Sequence, residues 1–105
     1  MKCMDQVFRA LADESRRTLL DSLSARSAQT LNELCLGLSM TRQAVSKHLA
    51  ILEEANLVAT VKRGREKLHY LNPVPIAEIA NRWIRKFERH RVDAFVDLKK
   101  QLESE

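Results

Sequence analysis

Six polar side chains crowd the first half of the stretch MTRQAVSKHLAILEEANLV, residues 40–58. They are Thr41, Arg42, Gln43, Ser46, Lys47 and His48, and the chemistry open to them is recognition through hydrogen bonds and charge. The amide of Gln43 can pair bidentately with adenine, and Arg42 or Lys47 can engage guanine or a phosphate. Thr41 and Ser46 offer short hydroxyls suited to phosphate oxygens. A helix starting there adds unpaired N–H groups and a favourable dipole for a nearby phosphate. His48 either joins these contacts or bonds within the protein. Just downstream, KRGREK (62–67) sets Lys62, Arg63, Arg65 and Lys67 around Gly64. Glycine permits a tight turn, and a narrow turn rich in cations can hold a phosphate backbone or enter a minor groove. Either cluster alone also fits ordinary solvated surface. Their closeness in the chain favours a shared task, binding double-stranded DNA.

The elements that position these groups follow from hydrophobic spacing. Met4, Val7, Phe8, Leu11 and Ala12 recur at helical intervals over residues 4–12. Asp13 or Ser15 then caps a second helix whose inward face is Leu19, Leu20 and Leu23. The polar run SARSAQ (24–29) breaks it. Thr30 with Glu33 three residues later is a capping-box signal for a short helix holding Leu31, Leu34, Cys35 and Leu38. Gly37 and Ser39 mark a turn. The next helix runs from Thr41 to about Ala55, burying Ala44, Val45, Leu49 and Leu52, and Asn56 tolerates the left-handed conformation that ends helices. LVATV (57–61) and EKLHYLN (66–72) read as a β-hairpin around KRGR, with the inward face of the second strand undecided. From about Val74 to Glu103 neither Gly nor Pro occurs after Pro75, and the apolar spacing predicts one helix of roughly 30 residues. Such a helix overruns a small core, so self-association is the simplest cover for its surplus apolar face; a break near His90 is the alternative.

The 105 residues suit one domain spanning 1–105. A hydrophobic content of 45% beside 30% charged residues is that of a soluble globular protein. No run is long and apolar enough to cross a membrane, and MKCMDQVF lacks the apolar region of a secretory signal, so a cytoplasmic protein is expected. Cys3 and Cys35 then read as reduced thiols. The net charge of +4 is unevenly placed: residues 1–56 sum to zero, while 62–67 carry +3 and 82–91 carry +4. No GxSxG, HExxH or Walker-type loop occurs, and the acidic residues are scattered along amphipathic helices, so no enzyme is expected.

The fold class expected is mainly α with a small β-hairpin. A short helix, a turn and a polar-fronted helix fit a helix-turn-helix, whose second helix lies in the major groove. FRALADESRRTLLDSL (8–23) and MTRQAVSKHLAILEEANLVATVKRGREKLHYLN (40–72) together resemble the ArsR class of winged helix-turn-helix repressors, over nearly the whole chain. The resemblance implies a homodimer on a partly palindromic operator, usually near its own gene, with the first helix and a long C-terminal helix forming most of the dimer contact. Met4, Val7, Phe8, Ile79, Trp83, Phe87, Phe95 and Leu98 are the candidate contact residues.

The signal that such a repressor answers is a separate matter. Metalloid-binding members carry ELCxC before the turn; here the stretch is ELCLG, so Cys35 matches and Gly37 replaces the second cysteine. A second family site would use Glu88 and His90 with ligands near Gln101 and Ser104, which do not supply them. His48 and His69 are poorly placed for a common ion. No metal and no cofactor are expected. Cys35 reads as a small core residue, and a thiol switch needs an accessible, acidic thiol with a partner. Trp83 and Phe87 fit either a pocket for an unidentified small-molecule inducer or a packed dimer core, and the core is preferred. The alternatives carried forward are a metal- or thiol-responsive repressor and a winged-helix interaction module that binds an acidic protein without reading DNA.

Overall fold

The computed structural model describes residues 4–84 and 89–104. The chain divides into two units, Met1–Pro75 and Ile76–Glu105.

In the first unit α1 (Met4–Leu11) leads into α2 (Glu14–Ala25), and the joint explains the sequence ALADESRR. Asp13 is the N-cap: its carboxylate accepts from the Arg16 N–H at 3.1 Å. That backbone N–H is the main reason the Asp13 carboxyl is held below its ordinary value. Arg16 and Arg17 then turn back to the end of α1. Arg16 Nε donates to the Ala10 carbonyl at 2.8 Å and Arg16 Nη2 to the Arg9 carbonyl at 3.0 Å, while Arg17 Nη1 donates to the Leu11 carbonyl at 2.7 Å. Carbonyls that α1 cannot satisfy internally are thus met by the next helix.

Thr30 and Glu33 form the predicted capping box at α3 (Leu31–Leu36), and the Thr30 N–H holds the Glu33 carboxyl below its ordinary value. Only Leu34 of this helix is fully buried; Leu31 and Cys35 are half-buried, as is Leu38 just beyond it. Thr41 caps α4 (Arg42–Glu54), accepting from the Ala44 N–H at 3.1 Å. Val45, Leu49 and Leu52 bury the inner face of α4, which packs on α2 and α3, where Leu19, Leu23 and Leu34 are also buried. Asn56 ends the helix with φ 63°, the left-handed geometry its side chain tolerates.

Strands β1 (Val58–Arg63) and β2 (Glu66–Leu71) pair antiparallel, Val58 opposite Leu71 and Arg63 opposite Glu66. Strand β1 reaches two residues further into the basic tip than the hydrophobic pattern predicts, while β2 starts at Glu66 as expected, leaving a two-residue loop, Gly64–Arg65. Gly64 has φ 62°, the positive value that such a hairpin needs at its first central position.

The inward face of β2 is set by His69, buried to 4% exposure. Ala28, at φ 61°, turns the chain so that Gln29 meets it. The His69 N–H donates to the Gln29 carbonyl at 2.8 Å, the Gln29 N–H donates back at 3.3 Å, and His69 Nδ1 lies 2.8 Å from the same Gln29 oxygen. The Gln29 amide meanwhile donates to the carbonyls of Ser22 at 3.0 Å and Arg26 at 2.8 Å. One buried residue therefore closes the end of α2 and docks the hairpin on it.

At the end of the first unit begins α5 (Val74–Ile79), with the backbone passing into π-helical turns over Ala80–Ile84. Helix α6 (Arg89–Ser104) forms most of the rest of the second unit. The uninterrupted helix that apolar spacing predicts is therefore not continuous α-helix: a π turn takes an extra residue and shifts the phase of the apolar stripe. Among the described residues, no helix is long and apolar enough to cross a membrane.

Replacing Gln29 by Ala should destabilise the protein by about 0.5–1.5 kcal/mol, since the side-chain hydrogen bonds to the part-buried Ser22 and Arg26 carbonyls are lost. Ser27→Ala, at an exposed position beside it, should change stability by less than about 0.5 kcal/mol. Urea denaturation of both variants measures the difference. Equal midpoints would show that Gln29 is not a structural fastening.

Candidate nucleic-acid interface

Successive residues of a helix are turned by about 100°, so positions spaced four, three and four apart share a stripe. Helix α4 carries three. Val45, Leu49 and Leu52 face the core. Gln43, Lys47, Ala50 and Glu54 lie on the opposite side, and all four are exposed. Between the two run Arg42, Ser46 and Glu53, which face a cleft of about 340 Å³ shared with α3 and the hairpin tip. The polar head of α4 is therefore split between an outermost stripe, to which Gln43 and Lys47 belong, and a cleft stripe, to which Arg42 and Ser46 belong.

Several of these side chains have partners already. Thr41 uses one oxygen lone pair at the N-cap, where it accepts from the Ala44 N–H, leaving its hydroxyl hydrogen available. Arg42 Nη1 donates to Asn32 Oδ1 of α3. His48 is half-buried, with Nδ1 3.3 Å from Arg16 Nη1 and 4.0 Å from Asp13 Oδ1. Arginine always donates, so at that distance a neutral His48 accepts through Nδ1. His48 accordingly ties the joint of α1 and α2 to α4, the internal role among those its sequence position allows. On the hairpin, Lys62, Arg63 and Arg65 are exposed, while Lys67 Nζ pairs with Glu53 Oε1 at 3.2 Å.

Three residues in these contacts were not singled out by residue type: Asn32, Glu53 and Arg16. Glu53 has a readable signal, because it falls seven residues after Ser46, on the stripe of Arg42 and Ser46. Asn32 and Arg16 have none, since each meets a partner from a distant part of the chain.

Of the residues considered for contact between copies, Met4 is half-buried and Phe8 is 43% exposed, while Val7 packs inside its own unit at 5% exposure. In the second unit Ile79 is half-buried, Trp83 is 40% exposed beneath the Arg82 guanidinium (5.4 Å from the ring centre), and Phe95 and Leu98 are exposed. Cys3, Phe87 and Glu88 lie outside the described residues, as does the side chain of His90. Cys35 is a free, half-buried thiol. Among the described residues, no three His, Cys, Asp or Glu side chains are grouped to hold a metal ion.

A helix-turn-helix domain model matches residues 11–61. The regulator YuzN of Bacillus subtilis (strain 168), described as an HTH-type transcriptional regulator, is 41% identical over 86 residues, covering 76% of this chain and 94% of that protein. The arsenical resistance operon repressor of Escherichia coli (strain K12) is 34% identical over 68 residues, 65% of this chain and 58% of its own length. The solved structure of an ArsR-like transcriptional regulator from Rhodococcus sp. RHA1 is similar with a TM-score of 0.73 and 31% identity, covering 97% of this chain and 92% of that one. A polar-fronted second helix, a basic hairpin beside it and these likenesses agree: the chain belongs to the ArsR class of winged helix-turn-helix transcriptional regulators.

Proposed function

We propose that this regulator is a repressor that binds an inverted-repeat operator as a homodimer, in the cytoplasm and near its own gene. The observation that carries the reading is the exposed stripe of Gln43 and Lys47 on α4, in the same unit as the exposed cations of the hairpin tip. A helix of this size fits the major groove, where an amide can read adenine and an ammonium guanine. Lys62, Arg63 and Arg65 hold backbone phosphates to either side, which fixes orientation without adding sequence information. Bound over a promoter, such a dimer excludes polymerase. Repression is also the activity named for the E. coli relative.

Dimer formation rests on apolar side chains that are exposed to solvent. Phe8 in α1 and Phe95, Leu98 and Leu102 in α6 are each at least 43% exposed. A second copy is the simplest cover, with Met4, Ile79 and Trp83 contributing and Phe87 assigned to the same contact by the family pattern. An inducer would be a small molecule that changes the relation between the two copies. Neither metal nor thiol chemistry is needed for this reading.

Gln43→Ala should flatten sequence preference, with affinity for random duplex nearly unchanged. Arg65→Ala should weaken selected and random duplexes alike and lower the salt slope by about one. Selection from a random pool, followed by binding across a chloride series, reads both effects; a Gln43→Ala variant that selects the wild-type sequence would remove Gln43 from base reading. In footprinting, the protein should protect two half-sites in inverted orientation, centres about 34 Å apart, and sediment as a dimer. A monomer protecting one half-site would contradict the homodimer.

A further inference from the structure

We infer that the cleft between α3, α4 and the hairpin tip seats one phosphodiester group of a bound duplex, and that Glu53 limits how tightly it does so. This rests on the DNA-binding reading above and adds a residue to it. The cleft lies wholly within Met1–Pro75, and its walls include Arg42, Ser46, Glu53, Arg65, Glu66 and Lys67. Three cations against two carboxylates leave it one positive charge. That matches the single negative charge of a phosphodiester better than a free phosphate, which carries roughly one and a half at neutral pH. Guanidinium, ammonium and hydroxyl donors are what a phosphoryl oxygen takes.

The donors are not equally ready. Arg42 is braced by Asn32, which orients its remaining N–H groups. Lys67 is instead engaged with Glu53 at 3.2 Å, in a pair whose side chains are 54% and 29% exposed. An ion pair this open to water is weak and can be exchanged for a phosphate. Lys67 must give up Glu53 before it can meet a phosphate, so the carboxylate competes with the newcomer for the ammonium. Glu53 thus holds back backbone affinity for every sequence equally, leaving discrimination to the outermost stripe of Gln43 and Lys47. Glu53 touches no base on this account; it is a positioning residue that acts through Lys67.

The test uses the full chain, wild type and Glu53→Gln, with a short random-sequence duplex and a duplex selected by the wild type. Glu53→Gln should bind both roughly three- to fivefold more tightly, with a salt slope steeper by about one counterion. Adding Lys67→Gln to Glu53→Gln should erase the gain. Unchanged or weaker binding by Glu53→Gln, a gain confined to the selected duplex, or a gain that survives Lys67→Gln would each overturn the inference. Inorganic phosphate and chloride at matched ionic strength should compete equally with wild-type binding; a specific loss in phosphate would assign the cleft to the free ion instead. A wild type that binds no duplex overturns the DNA-binding reading itself, whereas a wild type that binds while Glu53→Gln behaves identically overturns this inference alone.

Discussion

Helix α4 has to be held from beneath while Gln43 and Lys47 on its far side stay exposed, and everything proposed for this protein depends on that division. Thirteen residues provide fewer than four turns. One stripe, Val45, Leu49 and Leu52, is surrendered to the core and is at most 3% exposed. The stripe opposite keeps Gln43 and Lys47 in water. Because the two stripes are set by the same 3.6-residue period, packing the first fixes the rotation of the second about the helix axis.

A stripe of three apolar side chains resists rotation about the helix axis but does little against tilting. The polar contacts supply that restraint. Arg16 reaches from the start of α2 to the last carbonyls of α1 and to His48 on α4, so one guanidinium joins three helices. At the other side of the unit, Gln29 joins the end of α2 to β2 through His69. The hairpin is thereby carried by the same helix that carries the reading helix. On the proposed reading, base contacts from α4 and backbone contacts from the hairpin would then keep a fixed spacing.

Local structure was largely legible in the residues because its causes are local. Asp13, the Thr30–Glu33 box and Asn56 each act within three or four positions of themselves, so their types and spacing suffice to locate helix ends. The apolar face of α4 was legible for the same reason. Gln29 and His69 were not, since the pairing spans 40 residues and a buried glutamine looks like any polar loop residue. Nor does any residue type between Ala80 and Ile84 announce a π turn. In the candidate interface, the crowding of polar groups at the head of α4 is visible in the sequence; their division between an outermost stripe and a cleft, and the engagement of Lys67 by Glu53, depend on where the hairpin lands.

The division of α4 implies a division of labour, in which side chains turned farthest from the core meet bases and those beside the cleft meet phosphates. Nuclear magnetic resonance on isotope-labelled protein, titrated with a duplex selected from a random pool, tests it most directly. The account predicts large shifts for the side-chain amide of Gln43 and the backbone of Ser46, Lys47 and Arg65, with Leu19 and Leu23 in the core little changed. Shifts confined to α6, with the head of α4 unmoved at saturation, would contradict it.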